Sequence, residues 1–197
     1  YATHPGYVKL SHRKLREFRP DLYGWPGLGK RIRAWLDKKN FIRAYIEAHL
    51  ENGDSRAAVV MCLDPFLVAA YSVDLDCVAM LRFPASLAKS YGFVNGARLL
   101  TVNTYRVSGK EDCDLIRGPQ GQSPWLGFTP LIADFLTEDE DRLDERKGGI
   151  SEREWERTLL LAREYLARFP GLARDGRPML CGIPARPGAR NRGMPLV

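Results

Sequence analysis

Histidine is scarce in this chain, with 3 among 197 residues, and its 4 cysteines are scattered. Cys62, Cys77, Cys113 and Cys181 form no CxxC clip, and no histidine stands near them at a zinc-type spacing, which excludes a zinc-finger framework. Long apolar runs are missing as well. The longest candidates are broken by Asp64, Asp76 or Arg82, so no segment reads as a membrane-spanning helix. The front shows no secretory pattern. No GxSxG is present, and Gly121-Gln122-Ser123-Pro124 reads as loop alone. Dispersed cysteines fit a reducing, cytoplasmic setting, while Cys62 and Cys77 on neighbouring strands leave a cross-strand bridge open.

What is present is enough apolar sequence for a real core, and a lopsided charge. The net charge is +6. Residues 1–50 carry 11 Lys/Arg against 4 Asp/Glu, residues 51–150 carry 10 against 15, and residues 151–197 carry 9 against 5. A basic front and a basic, Pro/Gly-rich tail therefore flank an acidic middle. Such a patch suits nucleic acid, acidic lipid or an acidic protein and says nothing of fold.

The middle organises the chain. From Ala57 to Val107, four apolar, β-branched-rich runs lie close together, broken by Asp64-Pro65, Asp74 and Gly92/Gly96. This is the pattern of a small, mostly antiparallel sheet. Before it, Ser11 caps a short helix through Phe18. After a turn-rich loop over residues 20–29, Ile32, Trp35, Leu36, Ile42, Tyr45, Ile46, His49 and Leu50 recur at helical steps, with Asn40 a point of kinking and Asn52-Gly53 a stop. After it, residues 108–130 are rich in Gly and Pro and read as an exposed loop. Leu131–Leu136 is a brief helical turn, and Thr137 with Glu140 forms a capping box for an acidic helix. Ser151 with Glu154 forms a second box, ahead of the stripe Trp155, Leu159, Ala162, Leu166, Phe169. The expected fold is α+β: a small, mostly antiparallel sheet or partial barrel, flanked by a long N-terminal helix and a C-terminal amphipathic helix. It makes one domain over residues 1–171, with residues 172–197 as a Pro/Gly/Arg-rich tail.

Four features bear on chemistry. Gly24-Trp25-Pro26-Gly27-Leu28-Gly29-Lys30 has the GxxxxGK spacing of a phosphate loop, but Arg31 replaces the Mg²⁺-binding hydroxyl, no apolar strand leads in, and Pro26 removes one N–H. The segment reads better as a turn that caps the helix from Lys30; the alternative is that the open N–H groups of that helix, with Lys30, Arg31 and Arg33, hold a phosphate of a larger ligand. Second, Lys9, Arg13, Lys14, Arg16 and Arg19 precede Tyr23 and Trp25, and Lys38 and Lys39 follow them. Cations contact phosphates and aromatics stack on bases. Third, Asp134, Glu138, Asp141 and Glu145 share one side of a helix, and Glu111, Asp112 and Asp114 form an acidic loop. Their spacing matches no defined metal site, and acidic residues at a helix start favour its dipole. Fourth, Asn103, Tyr105 and Arg106 form a polar row, either a pocket wall or the solvent face of a strand. His4 and His12 lie in a mobile-looking front, and His49 reads as structural. Cys113, between Asp112 and Asp114, is poorly placed as a nucleophile.

Residues 83–100, FPASLAKSYGFVNGARLL, run strand, proline, short helix, glycine, apolar residue, glycine, strand. Pro84 suits a first helical turn, and Gly92 and Gly96 suit left-handed turns. This order resembles the AbrB/MazE-type swapped-hairpin barrels, with Gly92-Phe93-Val94-Asn95-Gly96-Ala97 in place of their GLxxGD turn and Ala97 where the acidic residue stands. The resemblance implies a barrel-like local fold and, in that family, a DNA-binding homodimer. It covers under a tenth of the chain, and the family's DNA-contacting arginines do not map onto it.

The function expected from the residues is a non-catalytic binding protein. Arg13, Lys14, Arg16, Lys30, Arg31 and Arg33 are its phosphate contacts and Trp25 its stacking group, with nucleic acid as partner and no cofactor. The alternatives are an adaptor or inhibitor that meets an acidic protein, and a metal-dependent hydrolase using Asp134, Glu138 and Asp141.

Overall fold

The computed structural model of the chain describes residues 2–24, 32–121 and 123–180, and within residues 32–35 the backbone only. The fold is α+β. Helices α1 (His12–Phe18) and α2 (Ile32–Asn52) lead into β1 (Asp54–Leu63), β2 (Phe66–Ser72) and β3 (Cys77–Phe83). Helix α3 (Ala85–Ser90) precedes β4 (Arg98–Arg106) and β5 (Gly127–Ile132). Helices α4 (Glu140–Gly148) and α5 (Glu152–Arg168) follow, and β6 (Arg174–Asp175) comes last. The strands form one curled half-barrel in the order β5-β4-β1-β2-β3-β6, with every pairing antiparallel except β3 with β6.

The central strands lack alternation because both their faces are covered. The inner face carries Ala58, Val60, Phe66, Val68, Ala70, Leu81, Phe83 and Leu99, packed against Phe18 and Phe135. The outer face carries Leu67, Ala69, Tyr71, Val78 and Met80 under Leu161, Ala162 and Tyr165 of α5. Leu100, Val102 and Leu131 meet Ile46 and Leu50 of α2 and Leu15 of α1. Both flanking helices thus pack on the sheet. Cys62, Cys77 and Cys113 are free thiols. Cys62 pairs with Leu67 and Cys77 with Ser72, at opposite ends of β2, so no bridge joins them.

Several local expectations shift. Asn40 does not divide α2, which runs unbroken. Gly127 and Pro130 lie inside β5 rather than in a loop. Pro130 is tolerated because β5 is an edge strand, where a missing N–H costs the ladder nothing. Helix α4 is capped by Asp139, whose side chain accepts from Arg142 N, while Thr137 accepts from Asp139 N one turn earlier. Ser151 does cap α5, but Glu154 turns away from it to accept the Ala57 N–H of β1 at 2.9 Å. The seam of α5 centres on Trp155, Thr158, Leu161, Ala162 and Tyr165, with Leu159, Leu166 and Phe169 at its margin. Two polar residues fit there because each is satisfied: Thr158 donates to the Glu154 carbonyl and Tyr165 to Asp114. In residues 83–100 the order strand, proline, helix, glycine turn, strand is present, with Gly92 and Gly96 at φ 63° and 85°.

The boundary after residue 171 falls ahead of a strand that completes the sheet. Arg174 of β6 is 2 % exposed and points into the curl. Its Nε and Nη2 donate to the two oxygens of Asp114 at 2.7 and 2.6 Å, Nη2 also to Asp112 at 3.2 Å, and Nη1 to the Phe128 carbonyl of β5 at 2.9 Å. One guanidinium therefore ties the two edge strands together. Burial works against its charge, but the hydrogen bonds and charges of Asp114 and Asp112 prevail and raise its pKa above the usual arginine value. Arg106 holds Asp112 from the other side.

Removing one partner of a buried ion network leaves uncompensated charge. Arg174→Met should therefore cost about 3–5 kcal/mol in urea unfolding, and a loss below about 1 kcal/mol would contradict the clamp. Ser55 Oγ is the opposite case, a buried hydroxyl without a hydrogen-bond partner among the described residues. Ser55→Ala should leave stability unchanged or raise it by up to about 1 kcal/mol in the same assay.

Candidate anion-binding surface

Helix α1 is short, and its orientation is set by two buried residues, Leu15 and Phe18, and by the Ser11 cap on Lys14 N. Arg13 and Arg16 are thereby exposed while Lys14 is half-buried, and their surroundings separate them. Arg13 is committed to acids: Nε donates to Glu138 at 2.6 Å and Nη1 to Glu17 at 3.1 Å. Lys14 folds inward, its Nζ 3.0 Å from the Asp134 carbonyl and 5.3 Å from the Tyr91 ring centre. Burial lowers its pKa against the pull of Asp134.

Arg16 differs. Its guanidinium lies 4.8 Å from the centre of the Tyr23 ring, and Arg43, from α2, lies 5.2 Å from the same ring. His12 Nδ1 is 2.8 Å from the Tyr23 hydroxyl, and Lys39 Nζ donates to the Gly24 carbonyl at 3.0 Å. Burial pushes the Tyr23 phenol up against the pull of Arg43 and Arg16, so the ring stays neutral. Among the described residues, neither Arg16 nor Arg43 has a carboxylate partner. Cation–π contact stabilises each guanidinium by only about 0.5–1 kcal/mol at an exposed site, and Arg43 Nη2 also donates to Asn40 Oδ1. A guanidinium without a carboxylate partner keeps N–H donors that an anion would accept.

Of the residues expected to contact phosphate, the structure thus brings Arg16 to this cluster and gives Arg13 and Lys14 partners of their own. Trp25, Lys30 and Arg31, and the side chain of Arg33, lie outside the described residues, as does most of the Gly24–Lys30 loop. In sequence they run directly from Tyr23 into α2. His12 and Arg43 join the cluster without an obvious sequence signal. Arg43 stands four residues after Lys39, on one helical face with it, and that spacing is the available hint.

The remaining candidates are engaged elsewhere. Asp134 is buried, accepting the Leu100 N–H at 2.7 Å and Lys147 at 2.5 Å, and Glu138 is held by Arg13. Among the described residues, no three His, Cys, Asp or Glu side chains are grouped to hold a metal ion. Asp112 and Asp114 belong to the Arg174 clamp. Asn103 is buried, its amide donating to the Tyr71 carbonyl at 2.7 Å, whereas Tyr105 reaches a surface cavity. No helix among the described residues is long and apolar enough to cross a membrane. Comparison with known families, with curated proteins and with solved structures finds no match to this chain.

His49 is structural. It is buried, with Nε2 2.9 Å from the Val102 carbonyl and Nδ1 3.4 Å from Thr104 Oγ1. Burial pushes its pKa down to about 4, against the backbone contacts to Val102 and Thr129. The unfolded chain therefore binds a proton below pH 6.5 that the folded chain refuses. Stability is full above that pH and falls as pH drops from about 6.5 towards 4, by about 3 kcal/mol at most. Urea unfolding of the wild type and of His49→Gln across this window checks it. The variant should lose this share of the slope, and an unchanged slope would assign the pH dependence to other groups.

Proposed function

We propose that this chain is a non-catalytic binding protein whose basic front engages an anionic partner, nucleic acid in the first instance. The observation that supports the reading is the pair Arg16 and Arg43, fixed at Tyr23 without a carboxylate partner among the described residues. Elsewhere the described arginines commonly sit in ion pairs, as Arg13, Arg56, Arg98, Arg157 and Arg174 do. Lys39 and His12 add further donors at the same place, and Lys30, Arg31 and Arg33 are close in sequence.

A protein partner is the second reading, favoured by the ring pair Phe41 and Tyr45 on α2. The rings stand 6.4 Å apart, and Phe41 is 68 % exposed. Under that reading the cations meet an acidic protein beside an apolar contact.

Titration of labelled duplex DNA and single-stranded RNA at two salt concentrations decides between them. Nucleic-acid binding should weaken steeply with salt, and Arg16→Glu with Arg43→Glu should reduce affinity at least about tenfold and lower the salt slope by about one per arginine. Absence of binding at low salt, or binding untouched by both substitutions, would overturn the nucleic-acid reading.

A further inference from the structure

A cavity of about 260 Å³ opens at the end of the sheet where β1 begins and β2 and β4 end. Its walls include Asp54, Asp74, Asn103, Thr104, Tyr105 and Trp125. None of its lining residues belongs to the Tyr23 cluster, and its ionisable side chains are acidic in a chain of net charge +6. The rings of Tyr105 and Trp125 stack at 5.6 Å and 22°. The indole Nε1 donates to Asp74 Oδ2 at 3.1 Å, which fixes ring and carboxylate together.

The charges around the cavity are accounted for one by one. Asp54 is spent, with Oδ1 accepting His4 N at 3.0 Å and Oδ2 accepting Arg56 Nε at 2.7 Å. Arg56 is shared between Asp54 and Glu154. Arg106 pairs with Asp112, and Arg117 pairs with Glu111 while its Nη2 holds the Trp125 carbonyl. Asp74 is left as the carboxylate at this cavity with no cation in ion-pair contact among the described residues. Asn103 forms a satisfied floor, since its amide donates to Tyr71 and its oxygen accepts from Thr101.

We propose that this cavity binds a small organic ammonium, with the cation held at the Asp74 carboxylate beside the stacked Trp125 and Tyr105 rings. Aromatic faces attract cations through the ring quadrupole, and a partly desolvated carboxylate adds a direct charge contact. The volume lies below the roughly 300–1,000 Å³ of pockets for drug-sized ligands, which limits the occupant to a compact amine or quaternary ammonium. Both share the chemistry, and separate probes distinguish them: a primary ammonium uses its N–H donors on Asp74 and Thr104, a quaternary one uses the rings.

The test is a tryptophan-fluorescence titration of the full chain at constant ionic strength with choline, with n-propylammonium and with 3,3-dimethyl-1-butanol, the neutral isostere of choline. A saturable change with at least one cation and none with the isostere is expected. Trp125→Phe should abolish the signal. Asp74→Asn keeps an acceptor for the indole but removes the charge, and should weaken binding at least about tenfold. Silence with both cations, equal response to the neutral isostere, or unchanged affinity in a folded Asp74→Asn would overturn the assignment. The isostere comparison uses the wild type alone, so the test does not depend on either variant folding.

Discussion

A curled sheet that stops short of closing has two edges, and each offers unpaired backbone groups. Here the guanidinium of Arg174 is set between them. It stands in the last strand, β6, reaches the Phe128 carbonyl of the opposite edge, and carries Asp114 and Asp112 with it. A buried charge of this kind is tolerable only when its donors are satisfied, and four of its N–H bonds are. The loop over residues 108–126, otherwise short of regular structure, is thereby pinned at Asp112 and Asp114. A second lock has the same form: Asp76, at φ 45° in the β2–β3 turn, takes both ends of Arg157 from α5 and accepts Gln120 N from that loop. Ion pairs hold the periphery to an apolar curl.

This division places the two candidate binding sites. The inner and outer faces of β1, β2 and β3 are filled by side chains, so neither offers a surface. Among the surfaces that stay accessible are the front, where α1 and α2 meet over Tyr23, and the open end of the sheet, where Trp125 and Tyr105 line a cavity. At the front Arg13 and Arg19 are paired with acids while Arg16 and Arg43 have no carboxylate partner among the described residues, and at the open end Asp74 has no cation partner among them.

Much of the fold was legible because burial leaves local marks: a helical period in the flanking helices and continuous apolar, β-branched runs between turn residues in the strands. The strands from Asp54 to Arg106, the Ser11 and Ser151 caps and the stop at Asn52-Gly53 all follow from local rules. β5 escaped because Gly127 and Pro130 mimic a loop, and only its edge position makes Pro130 harmless. β6 escaped because two residues carry no period, and what fixes them is a side-chain network with partners 60 and more residues away in sequence. The site was legible in kind rather than in detail. A basic, aromatic front can be read from composition, but whether an arginine is free or paired depends on folding. Arg13 met Glu138 across 125 residues, while Arg16 and Arg43 both met Tyr23.

The central claim is that the front formed by α1 and α2 is the surface that takes an anionic polymer. Hydrogen–deuterium exchange of the whole chain, with and without a short single-stranded oligonucleotide at low salt, tests it most directly. The account predicts slowed exchange in residues 11–24 and in the first half of α2, with the central strands unchanged. Protection confined to residues 108–126 or to residues 172–197, or no protection anywhere, would contradict it.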